Sequence, residues 1–335
     1  MPGGVLCNVT TSGREFEKYN SDIIHPCIRY SEQKFRGYNW WLVYTPYFKA
    51  DASLENPILC CGDSDNGNAP LNWNAETLIR DTPEYGYNSD PTLFFKKDGL
   101  HVFWRENDTP RTRCDNAFRG TYGLFLSETN QQNVNNPILV EKDRFEDKEV
   151  SPTIIYYNGG YRFYAAHLKF KNKKLHFKNK ILEKISNIIL WGLSLSEIYN
   201  EQKSYGIAIW ESNTLEAEFI YKKTTLIDNC NKLYHPWHFD FFEYNNKLYM
   251  LIQTNKCNSD ICIAVSKNYE NFRMYKKPLV TSKGIRKFGI YKPTGVVHDG
   301  IFYLYYTAQD IDARGNNKLY CTKYQMEELL IKLDS

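Results

Sequence analysis

Several features that would assign a function class directly are absent from this sequence. The 335 residues contain no run of eighteen or more apolar residues, and the first residues form neither a basic nor an apolar leader. We therefore expect a cytoplasmic protein without a transmembrane segment. Lys plus Arg number 42 against 39 Asp plus Glu, a net charge of +3. Nucleic acid is not expected as a partner, because domains that bind it usually carry a strong basic excess.

Short catalytic motifs are absent as well. The chain has no Walker loop, no GxSxG elbow and no HExxH sequence. Its nine cysteines show no CxxC or Cys/His metal spacing, which favours reduced, buried thiols over a disulfide framework. The sequence thus indicates no cofactor and no metal ligands, and a metal ion on a central axis stays open as an alternative.

Aromatic residues are abundant, at 16% of the chain, and they favour β-sheet. They recur in five similar units, each with a proline-containing segment, a turn, a Tyr- or Trp-rich strand and a further apolar strand. Turns such as Asn158-Gly159 and Asp299-Gly300 favour type I′ hairpins. The apolar segments Pro137-Ile138-Leu139-Val140 and Pro278-Leu279-Val280 suggest a fourth strand in their units. The five prolines, separated by 65, 61, 84 and 57 residues, are Pro26, Pro91, Pro152, Pro236 and Pro293.

Five sheets of about four strands predict a five-bladed β-propeller, because a closed ring protects the sheet edges that an open stack exposes. A β-sandwich explains the strands but not the five-fold order. We predict a single all-β domain over residues 1–335. Its blades are expected at about 20–80, 85–143, 149–228, 234–283 and 288–335.

The third unit contains an insertion at about residues 168–203. Seven lysines and one glutamate lie between Lys169 and Lys184, and apolar residues from Ile181 to Trp191 follow helical spacing. We predict one Lys-rich helix there. It could act as a lid, bind a protein partner or an anionic membrane surface through residues 169–191, or pack on blade three with solvated lysines.

Polar residues near the repeat prolines are expected to meet at one end of the propeller axis, where a pocket is the default site. Carboxylates there suit acid/base chemistry, and a histidine can orient a carboxylate or transfer a proton near neutral pH. Any one of them could instead bond a neighbouring blade's backbone. The candidate catalytic residues are His25, Asp90, Glu149, His238 and Asp240.

Binding a sugar requires flat apolar surfaces together with polar groups, a combination that aromatic side chains at strand ends provide. Any single aromatic residue is more often part of the core. The candidate substrate-binding residues are Tyr44, Tyr87, Trp104, Arg105, Trp237, Tyr291 and Lys292.

The five units and the segment Ser89-Asp90-Pro91 resemble the five-bladed propeller glycoside hydrolases of family 43 and its relatives in families 32, 62, 68 and 117. The resemblance covers nearly the whole chain and implies three axial carboxylates: a base, an aspartate that tunes pKa, and a general acid. The chain departs from this pattern. His25 stands where the first blade would carry Asp, Ser151 stands where the third would carry an acid, and blade four lacks the Glu-Gly-Pro segment.

We therefore predict a carbohydrate-active propeller that cleaves or transfers glycosidic bonds by carboxylate acid/base chemistry, acting on an oligosaccharide or sugar conjugate. The alternative is a catalytically silent glycan-binding or scaffold protein of polysaccharide assembly. The missing first-blade Asp supports that alternative.

Overall fold

The computed structural model describes residues 4–10, 22–48, 51–64, 67–83, 86–97, 99–108, 118–128, 138–142, 147–169, 205–230, 236–254, 260–281, 290–309 and 317–335. They form five sheets, antiparallel except for one short parallel pair in each of two sheets, and the innermost strands contact one another in cyclic order. This is the five-bladed β-propeller that the repeats predict.

The blades follow one another along the chain. Blade 1 contains β2 (Asn8–Thr10), β3 (Ile23–Phe35), β4 (Tyr38–Pro46), β5 (Ile58–Gly62) and β6 (Asn72–Leu78). Blade 2 contains β7 (Tyr87–Lys96), β8 (Gly99–Asp108), β9 (Phe118–Ser127) and β10 (Ile138–Lys142). Blade 3 contains β11 (Asp147–Tyr157), β12 (Gly160–Lys169), β13 (Tyr205–Ser212) and β14 (Ile220–Thr225).

The last two blades complete the ring. Blade 4 contains β15 (Ile227–Asp228), β16 (Pro236–Tyr244), β17 (Lys247–Thr254), β18 (Ile261–Ser266) and β19 (Phe272–Met274). Blade 5 contains β20 (Ile290–His298), β21 (Ile301–Gln309) and β22 (Asn317–Gln325), with β1 (Val5–Leu6) as its outermost strand. The innermost strands around the axis are β3, β7, β11, β16 and β20.

The hairpin turns have the backbone that the sequence predicts. Asn158 and Gly159 have φ of 49° and 83°, and Asp299 and Gly300 have φ of 50° and 73°. Two successive positive φ values define a type I′ turn, whose twist matches that of the strands it joins. Arg36-Gly37 makes a turn of the same kind between β3 and β4, although it lacks the Asn-Gly or Asp-Gly signature.

The hydrophobic cores lie between neighbouring blades rather than within them. Trp40 of blade 1 packs edge-on against Tyr303 of blade 5, with ring centroids 5.7 Å apart. Phe242 of blade 4 stacks on Phe302 of blade 5 at 4.7 Å. Aromatic pairs add about 1 kcal/mol each beyond the area they bury. The high aromatic content thus stabilises contacts between blades.

Two elements differ from the sequence-based expectation. We expected residues 278–280 to form the fourth strand of blade 4, but β19 occupies that place and Val280 makes only an isolated bridge to Ile261. After β22 the chain forms a helix, α1 (Met326–Asp334), which was not predicted from the sequence. Met326, Leu329 and Leu333 of α1 are buried against blades 4 and 5, so burial of its apolar face stabilises the helix.

The Lys-rich helix and its proposed binding face at 169–191 cannot be compared with the structure, because residues 170–204 lie outside the described residues. Seven of the nine cysteines lie within the described residues, and all seven are free. Among the helices of those residues, none combines the length and apolarity needed to cross a bilayer.

Candidate active site

Three inner strands carry the same backbone irregularity at the same repeat position. His25, Asp90 and Ser151 each precede a proline and have φ of 53°, 50° and 57°. The ladders to β4, β8 and β12 shift register at these points. A bulge of this kind changes the direction of a side chain that would otherwise follow the strand alternation.

The redirected side chains converge with a histidine of blade 4. His238 Nδ1 lies 3.1 Å from Asp90 Oδ1, and His25 Nε2 lies 3.5 Å from the same oxygen. One potential ligand atom from each of the three residues falls within 4.8 Å of the others, and all three residues are buried. Ser151 Oγ lies 2.6 Å from His238 Nδ1 and completes the group. We call these four residues the axial cluster.

Burial and charge set the protonation of this cluster. Burial is the largest influence on His25 and lowers its pKa to about 3, so its imidazole is neutral near pH 7. Burial alone would raise the pKa of Asp90. The opposing effects of His25, His238 and Lys292 hold that pKa well below its usual range. The cluster thus combines a carboxylate with a neutral imidazole.

Other polar groups surround the axial cluster. Tyr291 places its phenol oxygen 2.8 Å from His238 Nε2 and 3.3 Å from His25 Nε2. Lys292, with 1% of its surface exposed, donates from Nζ to the carbonyl oxygen of Pro91 at 3.2 Å. His25 Nδ1 lies 2.9 Å from Thr45 Oγ1.

Glu55 was not among the residues singled out in the sequence. It follows a short 3₁₀ turn, Ala52–Leu54, and its Oε2 lies 3.7 Å from His25 Nδ1. Glu55 lies in a loop outside the repeat pattern, so comparison with equivalent positions in the other blades does not predict it.

Asp240 belongs to a separate layer farther along the axis. Its carboxylate accepts two hydrogen bonds from Arg29, at 2.8 and 2.6 Å, and one from Thr294 at 2.6 Å. In the same layer, Cys27 Sγ lies 3.4 Å from Thr92 Oγ1. Beyond this layer, at the other ends of the inner strands, lies a mostly apolar cavity of about 380 Å³. Asp240 is thus an ion-pair partner beneath the axial cluster.

The other predicted residues lie in different surroundings. Tyr44 and Trp104 are buried in the cores that blade 1 forms with blades 5 and 2. Arg105 is buried, and its charge contributes to lowering the pKa of His25. Tyr87 and Trp237 are half-buried, and Trp237 lies edge-on to His238 with ring centroids 5.9 Å apart. Glu149 belongs to β11, but its side chain lies outside the described residues.

Two kinds of chemistry can be compared with this geometry. A Ser-His-Asp triad needs the serine and the aspartate on different nitrogens of the histidine, whereas Ser151 and Asp90 both face Nδ1 of His238. Two histidines and one carboxylate around a common point instead match a donor set that proteins use for divalent transition metals. The arrangement therefore suits metal binding better than a serine nucleophile.

Comparisons with known proteins reveal similarity in structure alone. No protein-family model and no curated protein matches the sequence. An N-acetylgalactosamine deacetylase from F. plautii, in complex with blood group B trisaccharide, is 15% identical, with a TM-score of 0.69 and coverage of 99% of this chain and 97% of its own. A GH43 enzyme from Xanthomonas citri complexed with xylose is 9% identical, with a TM-score of 0.61 and coverage of 96% and 90%.

A levansucrase variant from B. megaterium is 10% identical, with a TM-score of 0.64 and coverage of 91% of this chain and 82% of its own. All three similarities extend over most of both chains, whereas the identities are low. The chain therefore shares the five-bladed β-propeller fold with a sugar deacetylase, a GH43 enzyme and a levansucrase.

Proposed function

We propose that this protein is a metal-dependent hydrolase that removes an acyl group, such as acetyl, from a sugar. The observation that carries the proposal is the meeting of His25, Asp90 and His238 in a buried cluster. These residues would hold a divalent transition metal, since imidazole and carboxylate are its common ligands. Such an ion polarises an acyl carbonyl and lowers the pKa of water.

Residues around the cluster supply the other parts of the reaction. Glu55, 3.7 Å from His25, is the nearby carboxylate that would accept a proton from the attacking water. Water adds to the acyl carbon, the bond from that carbon to nitrogen or oxygen breaks, and the proton passes to the leaving atom. The products are a carboxylic acid and a sugar with a free amine or hydroxyl.

Recognition of a sugar is supported by aromatic residues beside the cluster. Tyr87 and Trp237 are half-buried at the starts of β7 and β16, and Tyr47 is half-buried just after β4. Partly exposed rings beside polar groups suit the apolar and hydroxylated faces of a sugar. The deacetylase with the same fold has a trisaccharide bound, which supports a carbohydrate as the ligand.

Glycosidic bond cleavage is the second candidate. It is favoured by two carboxylates on opposite sides of His25, since Asp90 lies 3.5 Å from Nε2 and Glu55 lies 3.7 Å from Nδ1. Paired carboxylates are the usual catalysts of this reaction. Asp240 is less suited to acid/base work, because Arg29 and Thr294 already bind its carboxylate.

The test begins with metal binding. Chelator-treated protein is titrated calorimetrically with Zn²⁺, Mn²⁺ and Co²⁺, and we expect one site per chain. His25→Ala, Asp90→Ala and His238→Ala should each weaken binding at least tenfold, whereas His298→Ala is the matched control, because His298 packs on Tyr30 and Trp40. Wild-type protein that binds none of the ions would contradict the proposal.

Activity then separates the alternatives. Acetylated hexoses and p-nitrophenyl glycosides are incubated with the metal-loaded and the chelator-treated protein. Acetate release that requires metal supports the proposed hydrolase, and glycoside cleavage that persists after chelation supports the second candidate. Binding of a sugar without hydrolysis of the acetylated hexoses or of the p-nitrophenyl glycosides would support the catalytically silent, glycan-binding alternative.

A further inference from the structure

Tyr291 lies on β20 and contacts both histidines of the axial cluster. Its phenol oxygen is 2.8 Å from His238 Nε2 and 3.3 Å from His25 Nε2. A histidine that binds a metal through one ring nitrogen usually forms a hydrogen bond through the other nitrogen, and that bond fixes which nitrogen carries the hydrogen. The hydrogen bonds around the two imidazoles therefore determine what Tyr291 can do.

The first imidazole to consider is His238. Its Nδ1 faces Asp90 Oδ1 at 3.1 Å and Ser151 Oγ at 2.6 Å, so Nδ1 is the nitrogen directed into the axial cluster. A neutral imidazole has one N–H and one lone pair. If His238 binds a metal through Nδ1, Nε2 would carry the hydrogen and would donate it to Tyr291.

His25 has the opposite arrangement. Its Nε2 faces Asp90 Oδ1 at 3.5 Å, and its Nδ1 lies 2.9 Å from Thr45 Oγ1. If His25 binds the metal through Nε2, Nδ1 would carry the hydrogen and would donate it to Thr45. Neither imidazole then retains a lone pair that could accept the phenolic hydrogen of Tyr291.

The imidazoles therefore do not accept the O–H of Tyr291, and the Trp237 indole that also bonds this phenol is itself a donor. The phenolic hydrogen can then be donated to a substrate. We infer that Tyr291 is a catalytic residue that donates a hydrogen bond to the acyl oxygen of the substrate, and this inference depends on the proposed function. As water adds to the acyl carbon, the carbonyl electron pair moves onto oxygen, and a donor placed there stabilises the negative charge. Tyr291 keeps its proton, and the proton released by water reaches the leaving atom.

The experiment compares Tyr291→Phe with the wild type, using p-nitrophenyl acetate at saturating metal. We expect kcat to fall by about 10²–10³-fold, the range for loss of one such donor, with little change in KM. The matched control is Tyr303→Phe, which removes a hydroxyl in the core between blades 1 and 5 and should leave kcat within about twofold.

Two further readouts make failure of the inference recognisable. Calorimetric titration should reveal a filled metal site in Tyr291→Phe, and Cu²⁺-loaded wild type should lack a phenolate-to-copper charge-transfer band. An unchanged kcat in Tyr291→Phe, complete loss of its metal binding, or such a band would overturn the role of Tyr291. Absence of metal binding in the wild type would instead overturn the proposed function itself.

Discussion

Three residues of the axial cluster occupy a backbone region that the following proline normally disfavours. His25, Asp90 and Ser151 have positive φ directly before Pro26, Pro91 and Pro152, whereas the residue before a proline prefers extended backbone. Left-handed backbone costs an L-residue about 1–2 kcal/mol. Strain of this size persists where the surroundings impose it, and it commonly marks functional sites.

Ser151 allows this strain to be measured. We expect Ser151→Gly to be more stable than Ser151→Ala by about 1 kcal/mol, because both lose the hydroxyl but glycine adopts positive φ without a steric penalty. Urea unfolding of the two metal-free variants measures the difference. Equal stability of the two variants would show that the site is not strained.

Asp22 gives the protein a pH-dependent stability. Burial raises the pKa of Asp22 to about 6, although Asn317 donates to it from its backbone N at 2.9 Å and its side chain at 2.8 Å. The pKa of Asp22 in the folded protein therefore lies above the ordinary aspartate value of 3.8. The stability linked to this group is therefore present in acid and is lost as pH rises through about 6.

Asp22→Asn should consequently be more stable than the wild type at pH 7.5, and this gain should shrink as pH falls toward 4. Asparagine keeps the accepting oxygen and removes the buried charge. Thermal unfolding midpoints across this pH range test the prediction. Asp63→Asn, at an exposed position, is the control, and a gain for Asp22→Asn that grows in acid would contradict the assignment.

The sequence predicts part of the site for a definable reason. His25, Asp90 and His238 stand near the repeat prolines, and a repeat brings equivalent positions onto one ring. The pairing of Asp240 with Arg29 could not be predicted, because 211 residues separate them. The contact between Glu55 and His25 depends on a loop conformation that no strand pattern specifies.

At the scale of elements, a cluster of charges joins blades 3 and 4. Arg162 of β12 donates to Glu211 of β13 at 2.7 Å and to Glu270, in the turn before β19, at 2.8 Å. Its guanidinium also lies 4.1 Å from the ring centroid of Tyr157. The Arg162 side chain is only 6% exposed, so these bonds are poorly screened by water.

Arg162→Met should therefore destabilise the protein by about 2 kcal/mol, through lost hydrogen bonds to charged groups and a lost cation–π contact. The control is Arg273→Met, which breaks an ion pair with Asp334 whose side chains are 58% and 56% exposed. That change should cost less than about 0.5 kcal/mol. Chemical unfolding of both variants provides the comparison. Equal losses of unfolding free energy would show that the Arg162 contacts do not stabilise the junction of blades 3 and 4.

Hairpins can be predicted from the sequence where the residues of the turn alone determine the backbone conformation. Asn158-Gly159 and Asp299-Gly300 form the expected hairpins because both residues of each pair adopt positive φ. The fourth strand of blade 4 was predicted at the wrong position, because Phe272–Met274 is only three residues long and has little hydrophobic pattern. Its position depends on pairing with β18 and β15.

At the scale of the whole molecule, the first described residues join the two ends of the ring. β1 pairs with β22 of blade 5, and β2 then pairs with β6 of blade 1. Cys7, between them, is buried in the core of these two blades. The five-fold order of the sequence predicts a closed ring, but these strands are too short to be recognised before the ring is known.

Removing residues up to Thr10 should lower the thermal midpoint by several degrees, because β22 and β6 lose edge partners and the core between blades 1 and 5 opens. Val5→Ala is the control, since 56% of the surface of Val5 is exposed. Scanning calorimetry measures both variants. A truncated protein as stable as the wild type would show that this segment does not hold the ring closed.

The Arg29–Asp240 ion pair, with Thr294, crosses the axis between the axial cluster and the cavity at the opposite mouth. These side chains occupy part of the axis. If the axial cluster is the active site, we expect a substrate to enter and leave at the end of the ring where the cluster lies. A long linear polymer would then present only its end, a branch or a side group to the cluster.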